Sequence, residues 1–313
     1  MKFNNKWVVA LAATLLLAAC GSDEEKTEKD INNASENDGA PYTVVDDRGV
    51  EVTFDEVPET IISLQPSNTE ILYELGVGDQ IIGATEFDTY PEAAQEVERV
   101  STSTVINAER IVELNPDVVI AYTIGEEAQI TQLEDAGLKV FVIASAATFD
   151  DVYSDIIQLS EVMGVEDKGE EVVADIKAQI ETVQEKTATL DTKKKAYYEV
   201  SPAPDLWTTG SSTFQQEIMD HANVENIFAD QKSWISVTEE DVITRNPEII
   251  ITPATYMENA VEEILGRTGW EKIQAVTDKA VYLVDGDIMS RPGPRIGEAV
   301  EIMAQSVYPE LFK

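Results

Sequence analysis

The residues of this chain best suited to chemistry are aromatic and charged side chains at the ends of core-like segments. What they suit is holding a molecule rather than making bonds. Phe87, Tyr122, Trp207 and Trp234 each follow or precede an apolar stretch with the pattern of a core element. In open α/β sheets that edge is where ligands bind, and an aromatic ring there offers wide apolar contact with little rotamer freedom to lose. Any one of the four could equally serve lobe packing; the shared position distinguishes them. The stretch DGDIMSRPGPR at 285–295 adds Asp287 as an acceptor and Arg291 as a planar fork of donors, in a loop stiffened by two prolines. Arg295 opens the last helix and suits a structural ion pair.

Reaction chemistry is poorly provided for. His221 is the only histidine and falls on a helix with no nucleophile motif around it. No Gly-x-Ser-x-Gly, phosphate-binding glycine loop or clustered metal-ligand spacing occurs. Carboxylates are so many that a given Asp/Glu pair says little about acid–base work. The expectation is a protein that is not an enzyme and needs neither cofactor nor metal.

The elements that must position these side chains are marked by a stretch that occurs twice. NAERIVELNPDVVIA at 107–121 and TEEDVITRNPEIIIT at 238–252 share the pattern Glu-x-(Ile/Val)-(Val/Ile)-x-x-Asn-Pro-(Asp/Glu), beginning at Glu109 and Glu240. Each copy predicts a short helix with a polar cap, Asn107 or Thr238, and an acid in its first turn. The helix stops ahead of Pro116 or Pro247. An apolar run of the kind buried in a parallel sheet follows at once. The copies lie 131 residues apart, a spacing that fits two similar α/β lobes rather than a solenoid.

Around the first copy the chain alternates strand and helix. A hairpin spans 42–54, strands fall at 61–64 and 81–84, a helix at 66–75, a helix at 129–136 and a strand at 140–143. This alternation marks a parallel α/β sheet. Residues 149–190 are helical with a break near Gly164, and Val172, Val173, Ile176, Ile180 and Val183 make a narrow apolar stripe. Such a helix lies across two bodies, although an ordinary surface helix of the first lobe would show the same pattern. The expected organisation is a signal peptide at 1–19 and a lipidated Cys20 with a disordered acidic tether over 20–40. An N-terminal α/β lobe at 41–165, a linking helix at 166–192 and a C-terminal α/β lobe at 193–313 follow.

The 313 residues hold 60 acidic and 22 basic side chains, a formal net charge of −38. Such a surface repels phosphate backbones, which argues against nucleic acid as a partner. At the N-terminus, Lys2 and Lys6 precede an apolar run, Trp7 to Ala19, too short for a comfortable permanent span. It ends in Leu17-Ala18-Ala19-Cys20-Gly21, which resembles a bacterial lipobox. Cys20 is the only cysteine, so it has no disulfide partner, and lipidation accounts for it. The mature chain is then expected at the cell membrane, lipid-anchored on its extracytoplasmic face.

The lipobox, PSNTEIL at 66–72, Tyr90-Pro91, the two repeats, TTGSSTF at 208–214 and SRPGPRI at 290–296 together resemble one family in order and spacing. It is the substrate-binding lipoproteins of ABC importers for cobalamin and iron-siderophores, with the strongest likeness to its cobalamin binders, and the resemblance covers 41–313. It implies two α/β lobes joined by one long helix, with the ligand in the cleft between them. It also implies a monomer that meets arginines of a permease dimer through one acid per lobe. Glu109 and Glu240 stand at the matching positions, with Glu70 and Glu217 as weaker substitutes. The family's ligand contacts fall on Phe87, Tyr122, Trp207, Trp234, Asp287 and Arg291; Ser103 departs from a tryptophan of the cobalamin binders. Cobalamin is the transported ligand so implied, its cobalt already ligated by the corrin. A ferric siderophore, which would favour a cationic cluster, and haem, which Tyr122 or Tyr90 could ligate, are the alternatives within the class. An extracellular lipoprotein with structural or enzymatic duty is the alternative outside it.

Overall fold

The computed structural model describes residues 40–102, 105–122 and 127–313. Strands β1 (Tyr42–Val45) and β2 (Glu51–Phe54) form the expected hairpin, its turn closed by Asp46, which accepts from the Arg48 and Val50 amides. Then follow β3 (Ile61–Ser63), α1 (Pro66–Glu74), β4 (Ile81–Thr85), β5 (Arg99–Ser101), α2 (Ala108–Leu114), β6 (Val118–Tyr122), α3 (Glu127–Asp135) and β7 (Val140–Ile143). These last five strands make a parallel sheet in the order β5-β4-β3-β6-β7. Two helices come next, α4 (Phe149–Val162) and α5 (Glu166–Thr187).

The second lobe consists of β8 (Lys195–Ser201), β9 (Trp207–Thr209), α6 (Phe214–His221), β10 (Glu225–Asn226), β11 (Trp234–Ser236), α7 (Glu239–Arg245), β12 (Ile249–Thr252), α8 (Ala260–Leu265), α9 (Gln274–Thr277), β13 (Val281–Leu283), α10 (Gly286–Ser290) and α11 (Ile296–Val307). Its sheet runs β11-β9-β8-β12-β13, with β10 also on β8. The β8, β10, β12 and β13 pairings are parallel, whereas β9 and β11 are antiparallel additions.

Strand residues divide between cores on opposite faces, as covered sheets require. In the first lobe Ile61, Val118, Ile120 and Phe141 face one core while Ile62, Val119, Val140 and Val142 face another. In the second, Ala196, Tyr198, Ile249 and Ile251 join the first of these cores, and Tyr197, Ile250 and Val281 face a third. The shared core exists because α5 buries Val172, Val173, Ile176, Ile180 and Val183 against α4 on one side and α11 on the other. The approach to α4 is close: a Cβ on Gly169 would lie 2.3 Å from Ser160 Oγ. The molecule is thus two similar α/β lobes joined by one long helix.

The two repeat copies fold alike, and the reason for their Asn-Pro is visible. Asn115 and Asn246 cap α2 and α7 in the left-handed region, with φ of 47° and 45°, which asparagine tolerates better than most side chains. The acid after each proline ties the corner to the start of the neighbouring strand. Asp117 accepts from the Glu59 and Thr60 amides, and Glu248 from the Lys195 amide, all at 2.9 Å. The expected caps are present too: Asn107 accepts from Arg110, and Thr238 and Asp241 form a reciprocal capping box.

Two expectations need correction. Trp207 and Trp234, expected to border core elements, instead begin strands of their own, β9 and β11, three residues each and too short for a periodic pattern to reveal. The stretch 285–294 is not all loop either. Asp285 accepts from the Asp287 and Ile288 amides at 2.9 and 3.0 Å and so starts α10 ahead of the first proline.

Asn115→Ala is expected to cost about 1–2 kcal/mol, the penalty of a Cβ in the left-handed region, and Asn115→Gly much less. Urea unfolding of the two variants side by side tests whether the corner is set by backbone conformation.

Candidate functional site

The carboxyl ends of β3, β4, β6 and β7 in one lobe, and of β8, β12 and β13 in the other, carry the candidate side chains. Phe87 lies two residues beyond β4 and Tyr122 ends β6. Trp207 pairs with Ser201 at the end of β8, and Trp234 pairs with Thr209 one strand further out. Phe87, Trp207 and Trp234 are 47%, 42% and 44% exposed, large apolar rings left open to solvent. Tyr122 is half-buried, hydrogen-bonded to Ser145, and desolvation raises its phenol above the ordinary range.

A continuous set of hydrogen bonds brings Phe87 and Trp234 to the same edge. Arg291 Nη2 donates to the Phe87 carbonyl at 3.0 Å and to Thr89 Oγ1 at 2.9 Å. Arg291 begins just after α10, whose Met289 carbonyl accepts from Gln215 Nε2 at 3.4 Å. Gln215 Oε1 in turn accepts from Trp234 Nε1 at 3.2 Å. Gln215 is buried, so its amide fixes the orientation of the indole. The turn into α6 that carries it is tight: a Cβ on Gly210 would sit 2.5 Å from the Gln231 carbonyl oxygen.

Charge is concentrated on one carboxylate. Glu70, on α1 of the first lobe and 2% exposed, accepts from Arg291 Nη1 at 3.0 Å and from Arg295 Nε and Nη2 at 2.8 and 2.6 Å. Arg291 also pairs with Asp287 Oδ2 at 2.7 Å, which accepts from Thr89 Oγ1 as well. Arg295 lies over the Tyr90 ring, 4.1 Å from its centroid. Both arginines come from the second lobe, so the set bridges the lobes. Arg291 and Asp287, expected to face a ligand, also take part in this bridge.

Glu109 and Glu240 are exposed in the first turns of α2 and α7. The two weaker substitutes are otherwise engaged. Glu70 is buried in the bridge, and Glu217 Oε2 accepts from the Phe149 amide at 2.7 Å across the lobes. Cys20 and Ser103 lie outside the described residues. Sequence reasoning missed Gln215, whose role depends on a tertiary contact. It also missed Tyr256, 74% exposed in the loop after β12, although that loop is the second-lobe counterpart of the one after Tyr122.

Among the described residues two carboxyls have raised pKa values. Asp155 on α4 is pushed up to about 8, first by desolvation and then by the charges of Asp47 and Asp151. Glu199 on β8 also rises, because desolvation outweighs its fork to Arg267 Nη1 and Nη2 at 2.7 and 3.0 Å. Asp155 therefore keeps its proton in the folded chain over a range in which the unfolded chain has already released it. Its contribution is complete at low pH and is lost as pH rises from the ordinary carboxylate range to about 8. The melting temperature is expected to fall between pH 5 and pH 9, with less fall in Asp155→Asn. Calorimetry that gives equal slopes for both proteins would contradict the assignment. Asp117, Asp230 and Asp241 are lowered by hydrogen bonds and act only below this window.

The sequence profile of the periplasmic binding protein family matches residues 61–288. The chain is 39% identical over 312 residues, 98% of each chain, to the "uncharacterized ABC transporter substrate-binding lipoprotein YvrC" of Bacillus subtilis (strain 168). It is 32% identical over 244 residues, 77% of this chain and 86% of the other, to the vitamin B12-binding protein of Vibrio campbellii (strain ATCC BAA-1116). The crystal structure of a "possible" iron-binding (periplasmic solute-binding) protein from Staphylococcus epidermidis ATCC 12228 superimposes with a TM-score of 0.74 at 32% identity, covering 81% of this chain and 100% of that one. The profile runs from the first strand of one parallel sheet to α10 of the other lobe, so the chain belongs to the periplasmic binding protein family, whose members carry ligands and are not enzymes.

Proposed function

We propose that this chain is the extracytoplasmic receptor of an ABC importer and that it captures cobalamin in the cleft between its lobes. Phe87, Tyr122, Trp207 and Trp234 supply ring contact, and Asp287 and Arg291 supply hydrogen bonds at the cleft floor. Residues 1–19 serve as signal peptide and Cys20 as the site of lipid attachment, which holds a monomeric receptor at the outer face of the cell membrane. The 32% identity to a vitamin B12-binding protein and the 39% identity to an ABC transporter substrate-binding lipoprotein support the class.

The observation that carries the ligand is the charge balance of the cleft floor. Arg291 and Arg295 are matched by Glu70 and Asp287, two charges against two. A ferric siderophore or a haem brings anionic groups that need unpaired cations. Cobalamin presents broad apolar faces ringed by amides, which suits exposed aromatics beside donors and acceptors that are already neutralised. Thermal-shift titration with cobalamin, cobinamide, haem and ferric siderophores tests this. A ligand at 100 times its Kd stabilises the fold by about 2.7 kcal/mol. The shift is expected with cobalamin or cobinamide alone, and Trp207→Ala or Trp234→Ala is expected to weaken that binding by roughly 1–3 kcal/mol. A shift with haem or a siderophore instead would keep the receptor and replace its ligand.

Glu109 and Glu240 are the proposed permease contacts. One exposed charge on each lobe sets docking register and encounter rate more than affinity. The double variant Glu109→Ala, Glu240→Ala is expected to bind ligand as the parent does and to lose uptake of labelled ligand by cells. Normal uptake would remove both residues from the interface.

A further inference from the structure

A second pocket opens in the first lobe between the β1–β2 turn, the 144–148 loop and the start of α4. It has a volume of about 260 Å³ and is lined by Asp47, Asp151, Asp155, Ser145 and Ser154, with two alanines. Its acids come from two elements, Asp47 from the hairpin turn and Asp151 and Asp155 from α4. Asp47 Oδ2 accepts from the Ala144 amide at 2.6 Å and Oδ1 from Gln158 Nε2 at 2.8 Å. Asp151 Oδ2 accepts from the Ala147 and Thr148 amides at 3.0 and 2.9 Å. Asp155 is different. It is 6% exposed, lines the pocket, and makes no hydrogen bond with any described residue.

Ionising a carboxyl this deeply set is costly, and among the described residues nothing basic offsets it. The charged groups acting on it are Asp47 from the hairpin turn and Asp151 one helical turn away. Tyr122, from β6, is near enough to feel its charge, and Ser145 is bonded to Tyr122. The pocket therefore presents acceptors and negative potential with no cation to match. A metal ion is not the fitting guest, because the described residues contain no group of three acidic, histidine or cysteine side chains able to hold one. A larger cation that reaches several carboxylates through N–H donors fits the spacing, and a guanidinium has five such donors in a fixed plane.

We propose that this pocket is a binding site for a small organic cation, a guanidinium or a primary alkylammonium, with Asp155 as its anchoring carboxylate. The pocket adjoins Tyr122, and its guest is chemically distinct from the ligand proposed for the main cleft. Cation binding requires Asp155 to ionise, so one proton leaves its carboxyl for solvent as the cation enters.

Methylguanidinium and butylammonium, titrated calorimetrically into the protein in 0.15 M potassium chloride, test the proposal. The salt screens diffuse attraction to the acidic surface. Saturable one-to-one binding is expected, with Kd falling roughly tenfold per pH unit from pH 6 to 7.5 and levelling off above about 8, where Asp155 is already ionised. Asp155→Asn, which keeps the side-chain size, is expected to bind at least about tenfold more weakly and to lose the pH dependence. A melting curve checks that this variant is folded. Titrations that do not saturate, a Kd independent of pH in the parent protein, or equal binding by folded Asp155→Asn would each overturn the site. The parent pH series stands even if the variant does not fold.

Discussion

Much of this structure depends on one buried carboxylate holding two guanidinium groups from the opposite lobe. Glu70 sits on α1, and Arg291 and Arg295 reach it from either side of the turn between α10 and α11. Charge-assisted contacts of this kind are short and directional, and losing one partner inside a dry site strands the others. The pair of arginines therefore fixes how α10 and α11 approach the first lobe. Phe149 adds a further crossing, its ring parallel to His221 at 4.8 Å and its amide held by Glu217. With α5 packed into the core that the lobes share, they are joined at several separate points. These crossings together set how the two lobes face each other.

The two lobes share a plan and differ where the candidate ligand surface lies. Each has a three-strand parallel centre, β3-β6-β7 in one and β8-β12-β13 in the other. The same Asn-Pro-acid corner feeds the middle strand of each. Outside that centre they diverge. The first lobe continues with the parallel strands β4 and β5, the second with the antiparallel β9 and β11. Both tryptophans of the candidate site are on these antiparallel additions, and Phe87 follows β4.

The frame was legible in the sequence because its signals are local. Apolar runs of three or more residues, Asn-Pro corners and the stripe from Val172 to Val183 each record a burial pattern directly, and the two-lobe α/β fold follows from them. The candidate site was legible in part. Aromatics at strand ends could be named, but whether a ring faces solvent depends on neighbours far along the chain. Arg291 shows the difficulty: its loop suggested a free donor fork, while its partner Glu70 is 221 residues away. Gln215 and the short strands β9 and β11 lack any periodic signal, since three residues cannot display one. Asp155 looked like an ordinary helix acid among 60 acidic side chains, and only its burial sets it apart.

The β11 strand has a mechanical side. Trp234 begins it, Ser236 ends it, and Val237 donates its amide to the Leu206 carbonyl at 3.0 Å before Thr238 opens α7 with its reciprocal box. Only five residues separate Trp234 from Glu240, and hydrogen bonds pin that tether along its length. A push on the indole cannot dissipate in a slack loop; it is delivered to the first turn of α7. The indole at one end and the exposed Glu240 carboxylate at the other thus belong to one short, stiff arm of the second lobe.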